Sequence, residues 1–66
     1  MKNKVKDERL NQIINQTEFA EKLNVSRQTI HAIETGKYIP TTILALKIAR
    51  LLNKRAEDLF ILEKGD

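Results

Sequence analysis

Gln28, His31, Ala32 and Thr35 fall on one side of any helix drawn through this stretch of the 66-residue chain, with Arg27 flanking them at its first turn. A step of about 100° per residue puts Ile30 and Ile33 on the other side, so the polar set is the outward one. These residue types suit the edges of base pairs. A Gln carboxamide can pair with both hydrogen-bonding groups of adenine in the major groove and an Arg guanidinium with those of guanine, each good pair giving about 1–3 kcal/mol of discrimination. Ala32 leaves room for close approach or touches a thymine methyl. His31 is open to two readings, a surface imidazole without a task or a contact to a base or phosphate. By themselves Arg27, Gln28 and Thr35 also fit an ordinary solvated helix face; the pattern around them favours the base-reading interpretation.

A second group of residues suits phosphate. Gln16 and Thr17 open the preceding helix, where free N–H groups and the helix dipole favour an anion, although capping alone would also explain them. Ser26 sits at the head of the reading helix. Lys37 and Tyr38 follow it in a loop that would lie along a DNA backbone; Tyr38 is equally suited to packing. Contacts of this kind position a protein on the duplex and carry no base sequence.

Other chemistries find little material. The chain has no cysteine and one histidine, which leaves neither a disulfide, nor a thiolate metal site, nor a histidine cluster. No nucleophile–base pair, carboxylate dyad or phosphate loop is visible, so no catalytic residue, cofactor or metal is expected. Without a separate ligand domain, no small-molecule ligand is expected either. No apolar run approaches the ~18 residues that a membrane span requires, and the N-terminus lacks a signal peptide's apolar segment. The expected setting is the cytoplasm, close to the nucleoid. Twelve Lys and Arg against nine Asp and Glu give a net charge of +3, which permits a polyanionic partner without demanding one. Between Gln16 and Tyr38 the charges cancel, Lys22, Arg27 and Lys37 against Glu18, Glu21 and Glu34. The case for nucleic acid therefore rests on geometry.

The elements that must position these side chains centre on residues 16–36. This stretch reads as two short helices around a tight turn, with Phe19, Ala20, Leu23, Val25, Ile30 and Ile33 inward. Asn24 tolerates the left-handed backbone that the turn needs, and Ala20 lets the helices cross closely. Asn15 and Ser26 are N-caps, and Gly36 closes the third helix near Thr35. Before this core, Val5 to Ile14 predicts a first helix with Leu10, Ile13 and Ile14 on one face and Val5 off to one side. After it, Thr41 caps a fourth helix running to about Leu52. That helix is apolar around most of its circumference and is expected to be central and largely buried, its wet side being Lys47, Arg50 and Lys54. A short fifth helix runs from about Ala56 to Leu59. Phe60-Ile61-Leu62 is too short for a helix and too apolar for a free tail.

With these residues in hand, the chain resembles the Cro and phage-repressor-like (XRE-type) helix-turn-helix regulators in their minimal single-domain form. The likeness spans about Val5 to Leu62. It rests on Gln16, Ala20, Val25, Ser26-Arg27-Gln28-Thr29-Ile30, Ile33-Glu34 and Gly36-Lys37-Tyr38, and on Ala45 to Ala49 followed by Glu57-Asp58-Leu59-Phe60. Members commonly carry Gly near Ile13 and at Asn24, Thr or Ser at Asn15, an apolar residue at Glu8 and Ser or Thr at Lys54, and this chain departs at each. The resemblance implies an all-α, compact five-helix, lambda-repressor-like domain covering residues 1–66 and binding double-stranded operator DNA as a homodimer.

It also implies a partner for Glu34. Glu34 follows Ile33 and points to the interior edge, where a buried carboxylate needs a counter-charge; the resemblance suggests Arg9. The chain ends, about 1–5 and 56–66, are the expected dimer contact, since Leu59, Phe60, Ile61 and Leu62 are too apolar to leave exposed on so small a body. Residues 60–63 are expected to be extended, with pairing to the strand-like segment at residues 2–5 open to them. A tail folded only onto its own core is the alternative. In function, the expectation is a sequence-specific regulator, most simply a repressor. An antitoxin-like or scaffold module, with a protein partner and secondary DNA binding, is the runner-up.

Overall fold

Three side-chain caps frame the fold, seen over residues 1–66 in a computed structural model. The oxygens of Asn15, Ser26 and Thr41 accept from the backbone N–H groups of Glu18, Thr29 and Leu44 at 2.8, 3.1 and 3.2 Å. Each satisfies a donor that the first turn of a helix leaves without an internal partner. The elements in order are β1 (Lys2–Asn3), α1 (Val5–Asn11), α2 (Gln16–Leu23), α3 (Arg27–Glu34), α4 (Thr42–Leu52), α5 (Ala56–Leu59) and β2 (Phe60–Ile61). Asn24 and Asn53 end α2 and α4 in the left-handed region, both at φ 57°. Gly36, at φ 78°, turns the chain after α3.

The core lies where the inward stripes of all five helices meet. Phe19, Ile30, Ile33, Ile48, Leu52 and Leu59 are fully buried in it, each worth about 1.5–3 kcal/mol against exposure to water. The two strands are antiparallel, with Lys2 opposite Ile61 and Asn3 opposite Phe60. Asn3 also donates from Nδ2 to the Ile33 carbonyl at 2.8 Å, tying the chain ends to the C-terminus of α3. No helix is long and apolar enough to cross a membrane.

Three expectations need correction. The first helix ends at Asn11, two turns after it begins, and its inward positions are Val5 and Arg9, four residues apart. Val5 is fully buried, whereas Leu10 and Ile13, expected on the inner face, are exposed; Ile13 has left the helix and stands 90% exposed at φ 57°. The α4 helix is not buried all round, because Ile43 and Leu46 face outward, 69% and 57% exposed. Leu59, expected at the dimer contact, lies wholly inside the core of its own chain. The neighbouring Phe60 and Ile61 are half-buried and Leu62 is exposed.

Candidate nucleic-acid interface

The buried stripe of α3 decides what is left outside. Ile30 and Ile33 are sealed against α2 and the core, so Arg27, Gln28, His31 and Thr35 are exposed and Ala32 is half-buried between them. The face that results has no acidic group. Glu34, the one carboxylate of α3, turns inward, its side chain 1% exposed. The cancellation of charge along residues 16–38 therefore does not hold for this surface, which keeps Arg27 at one end of α3 and Lys37 beyond the other.

What holds Glu34 inward is a network across three helices. Arg9 of α1 donates from Nε to Glu34 Oε2 at 2.7 Å and from Nη2 to Oε1 at 3.1 Å. Its remaining Nη1 donates to the Ile14 carbonyl at 2.7 Å. Gln16, at the first position of α2, donates from Nε2 to Glu34 Oε1 at 3.0 Å, and the same nitrogen lies 3.5 Å from His31 Nδ1. Every buried side-chain polar atom has a partner. Sequence periodicity carries no signal for Gln16 in this role; it links the base-facing side of α3 to the first turn of α2.

The other phosphate candidates gather along the rim. Thr17 is exposed beside Gln16 at the head of α2. The Asn15 cap takes up the Glu18 N–H, and the first N–H groups of a helix are ones that its own hydrogen-bond ladder does not use. Ser26 is exposed, but its Oγ is engaged in the cap and lies 2.9 Å from Thr29 Oγ1. After Gly36, the N–H groups of Lys37 and Tyr38 both donate to the Ala32 carbonyl, at 2.9 and 3.2 Å. That clasp holds the loop against the end of α3, with both side chains outward. Thr35 is constrained differently. Its hydroxyl donates to the His31 carbonyl at 2.9 Å, so oxygen lone pairs are what it can offer to a partner.

Comparison with known proteins agrees with this geometry. A family model described as helix-turn-helix matches residues 5–59. An HTH-type transcriptional regulator of Methanocaldococcus jannaschii, itself uncharacterized, is 52% identical over 66 residues, covering all of both chains. Another, from Bacillus subtilis, is 45% identical over 64 residues, 97% of each chain. In fold, the chain superposes on the restriction-modification controller protein C.AhdI of Aeromonas hydrophila with a TM-score of 0.77 over 85% of each chain, at 21% identity.

Proposed function

This chain belongs to the helix-turn-helix family of DNA-binding transcriptional regulators, and on that footing we propose that it is a repressor acting as a homodimer on a palindromic operator. The observation that carries the reading is the outer face of α3, polar, free of acid and flanked by Arg27 and Lys37. Inserted in the major groove, Arg27 and Gln28 read base edges, with His31, Ala32 and Thr35 beside them. Gln16, Thr17, Ser26, Lys37 and Tyr38 hold phosphates on either side.

The dimer places a second copy against the apolar face between α4 and α5. A groove of about 310 Å³ there is walled by Pro40, Ala45, Leu46, Ala56, Phe60 and Leu62. The exposed Ile43 extends the same face. Two-fold symmetry argues for a copy of this chain as the occupant, because a palindromic operator needs two reading helices about one duplex turn apart, roughly 34 Å. Leu59 supports this face from within.

Selection of bound sites from a random DNA pool tests the proposal. An inverted repeat with half-sites about one helical turn apart is the expected product. Failure to enrich any sequence, together with copurification of a stoichiometric protein partner from the native cell, would replace it with the interaction-module reading.

A further inference from the structure

We propose that the groove between the C-terminal end of α2 and the outer side of α4 is a docking site for an acidic segment of another protein, one in which carboxylates flank one or two large apolar side chains. The cations that read in the sequence as the wet side of α4 divide on this point. Lys54 is paired, its Nζ 3.2 Å from Glu8 Oε2. Lys47 and Arg50 stand exposed outside all of the chain's ion pairs, and so does Lys22 in the last turn of α2.

Two depressions of about 290 Å³ each bring these cations together with apolar surface. One runs between Lys22, Lys47 and Arg50 over Leu23 and Leu51. The other continues past Lys47 over Val25, Ile43 and Leu44. Leu23, Asn24 and Lys47 border both, so the two form one groove with an apolar floor and a cationic rim. No carboxylate lines it. By contrast, Glu57 borders the groove between α4 and α5, and Glu8, Glu57 and Asp58 line the hollow between α1 and α5.

Helical register separates this groove from the proposed dimer face. Ala45 and Leu46 turn toward Ala56 and Phe60, whereas Lys47 and Arg50 turn toward Lys22 and Leu23. Ile43, four residues before Lys47, stands at the edge of both. A second copy seated on Ala45 and Leu46 has no need of the cations. The inference is also independent of the reading of α3, because no residue of the groove belongs to the outer face of that helix. Gln16 and Thr17, the phosphate candidates of α2, lie at its opposite end.

DNA is the poorer occupant. Phosphates match the three cations, but a sugar-phosphate backbone gains little from Ile43, 69% exposed, or from the leucines beside it. An acidic, apolar-studded peptide answers both parts of the surface. Its carboxylates face Lys22, Lys47 and Arg50, while a Leu or Phe side chain anchors it on the floor. Single exposed ion pairs contribute little, so the cations must act as a set together with that anchor.

The test titrates the full ¹⁵N-labelled chain with three synthetic peptides of equal length. The first has Glu residues flanking Leu and Phe, the second carries Lys in place of Glu, and the third carries Ser in place of Leu and Phe. The expected result is amide shifts at Lys22, Asn24, Lys47, Arg50 and Leu51 with the first peptide, and binding of the other two weaker by about tenfold or more. Lys47→Glu combined with Arg50→Glu should weaken the first peptide by about tenfold and leave operator affinity unchanged. Lys22→Glu, on a different helix, decides should the double variant fail to fold. No shift with any peptide overturns the proposal, as do shifts confined to α3 or to Ala45, Leu46 and Phe60. Equal binding of the Ser peptide also overturns it, leaving a patch that merely attracts counter-ions. Loss of operator binding by the folded double variant assigns the cations to DNA, with the same consequence. Failure of the chain to select any DNA site contradicts the repressor reading and leaves the peptide result standing.

Discussion

Arg9 and Glu34, 25 residues apart in sequence, meet in a two-point ion pair with N···O separations of 2.7 and 3.1 Å and with both side chains almost fully withdrawn from water. The pair joins α1 to the end of α3, and Gln16 adds a third donor to the same carboxylate. Glu34→Gln would leave the Arg9 guanidinium buried without its counter-charge. The expected cost is about 3–5 kcal/mol of stability, read as a lower midpoint in chemical denaturation. A midpoint within error of wild type would show that the pair does not hold the fold.

Ile13 predicts the opposite sign. A β-branched residue at φ 57° is strained, and this one is 90% exposed, so it gains little from burial in exchange. Ile13→Gly should raise stability by about 1 kcal/mol, the relief of left-handed strain exceeding the added freedom of the unfolded chain. Denaturation of the two proteins side by side checks it; a destabilised Gly variant would mean that Ile13 makes contacts that the exposed position does not suggest.

The same residue explains why part of the fold was hard to read from sequence. Helices α2 to α5 were legible because each carries local punctuation: Asn15, Ser26 and Thr41 as caps, Asn24 and Gly36 as left-handed stops, and Glu57 and Asp58 at the head of α5. The first helix has no such stop, so the apolar pattern ran on through Ile13 and pointed to the wrong face. Its true inner stripe is Val5 and Arg9, and a buried arginine does not register as apolar. On α4 the error ran the other way. Periodicity counts Ile43 and Leu46 as buried, and only tertiary geometry shows that no part of this chain covers them. At the candidate site, the outward residues of α3 followed from helical register alone. The bond from Gln16 to Glu34 could not, since it joins separate helices.

Leu46 tests the proposed dimer face. It is 57% exposed in the single chain, so Leu46→Glu should leave helix content unchanged while placing a charge against the partner copy. Sedimentation should show a shift toward monomer, with weaker operator binding. An unaltered dimer would move the interface elsewhere on the molecule.

Lys37 is expected to act without regard to base sequence. Lys37→Ala removes a phosphate contact, so binding to specific and random DNA should weaken by similar factors, and the slope of log affinity against log salt should become shallower by about 1 per protomer. Filter-binding or anisotropy titrations at several salt concentrations measure both quantities. A loss confined to the operator would make Lys37 a reader rather than a backbone contact.

Gln28→Ala, carried through site selection from a random DNA pool, puts the reading role of α3 to the test. Gln28 is exposed on the outer face, one residue from Arg27, and a single lost pairing is worth about 1–3 kcal/mol of base discrimination. The expected outcome is a selected site that keeps its half-site spacing and relaxes at one base pair in each half. Specific binding that persists with the selected sequence unchanged at every position would contradict the assignment of Gln28 as a reader in the major groove.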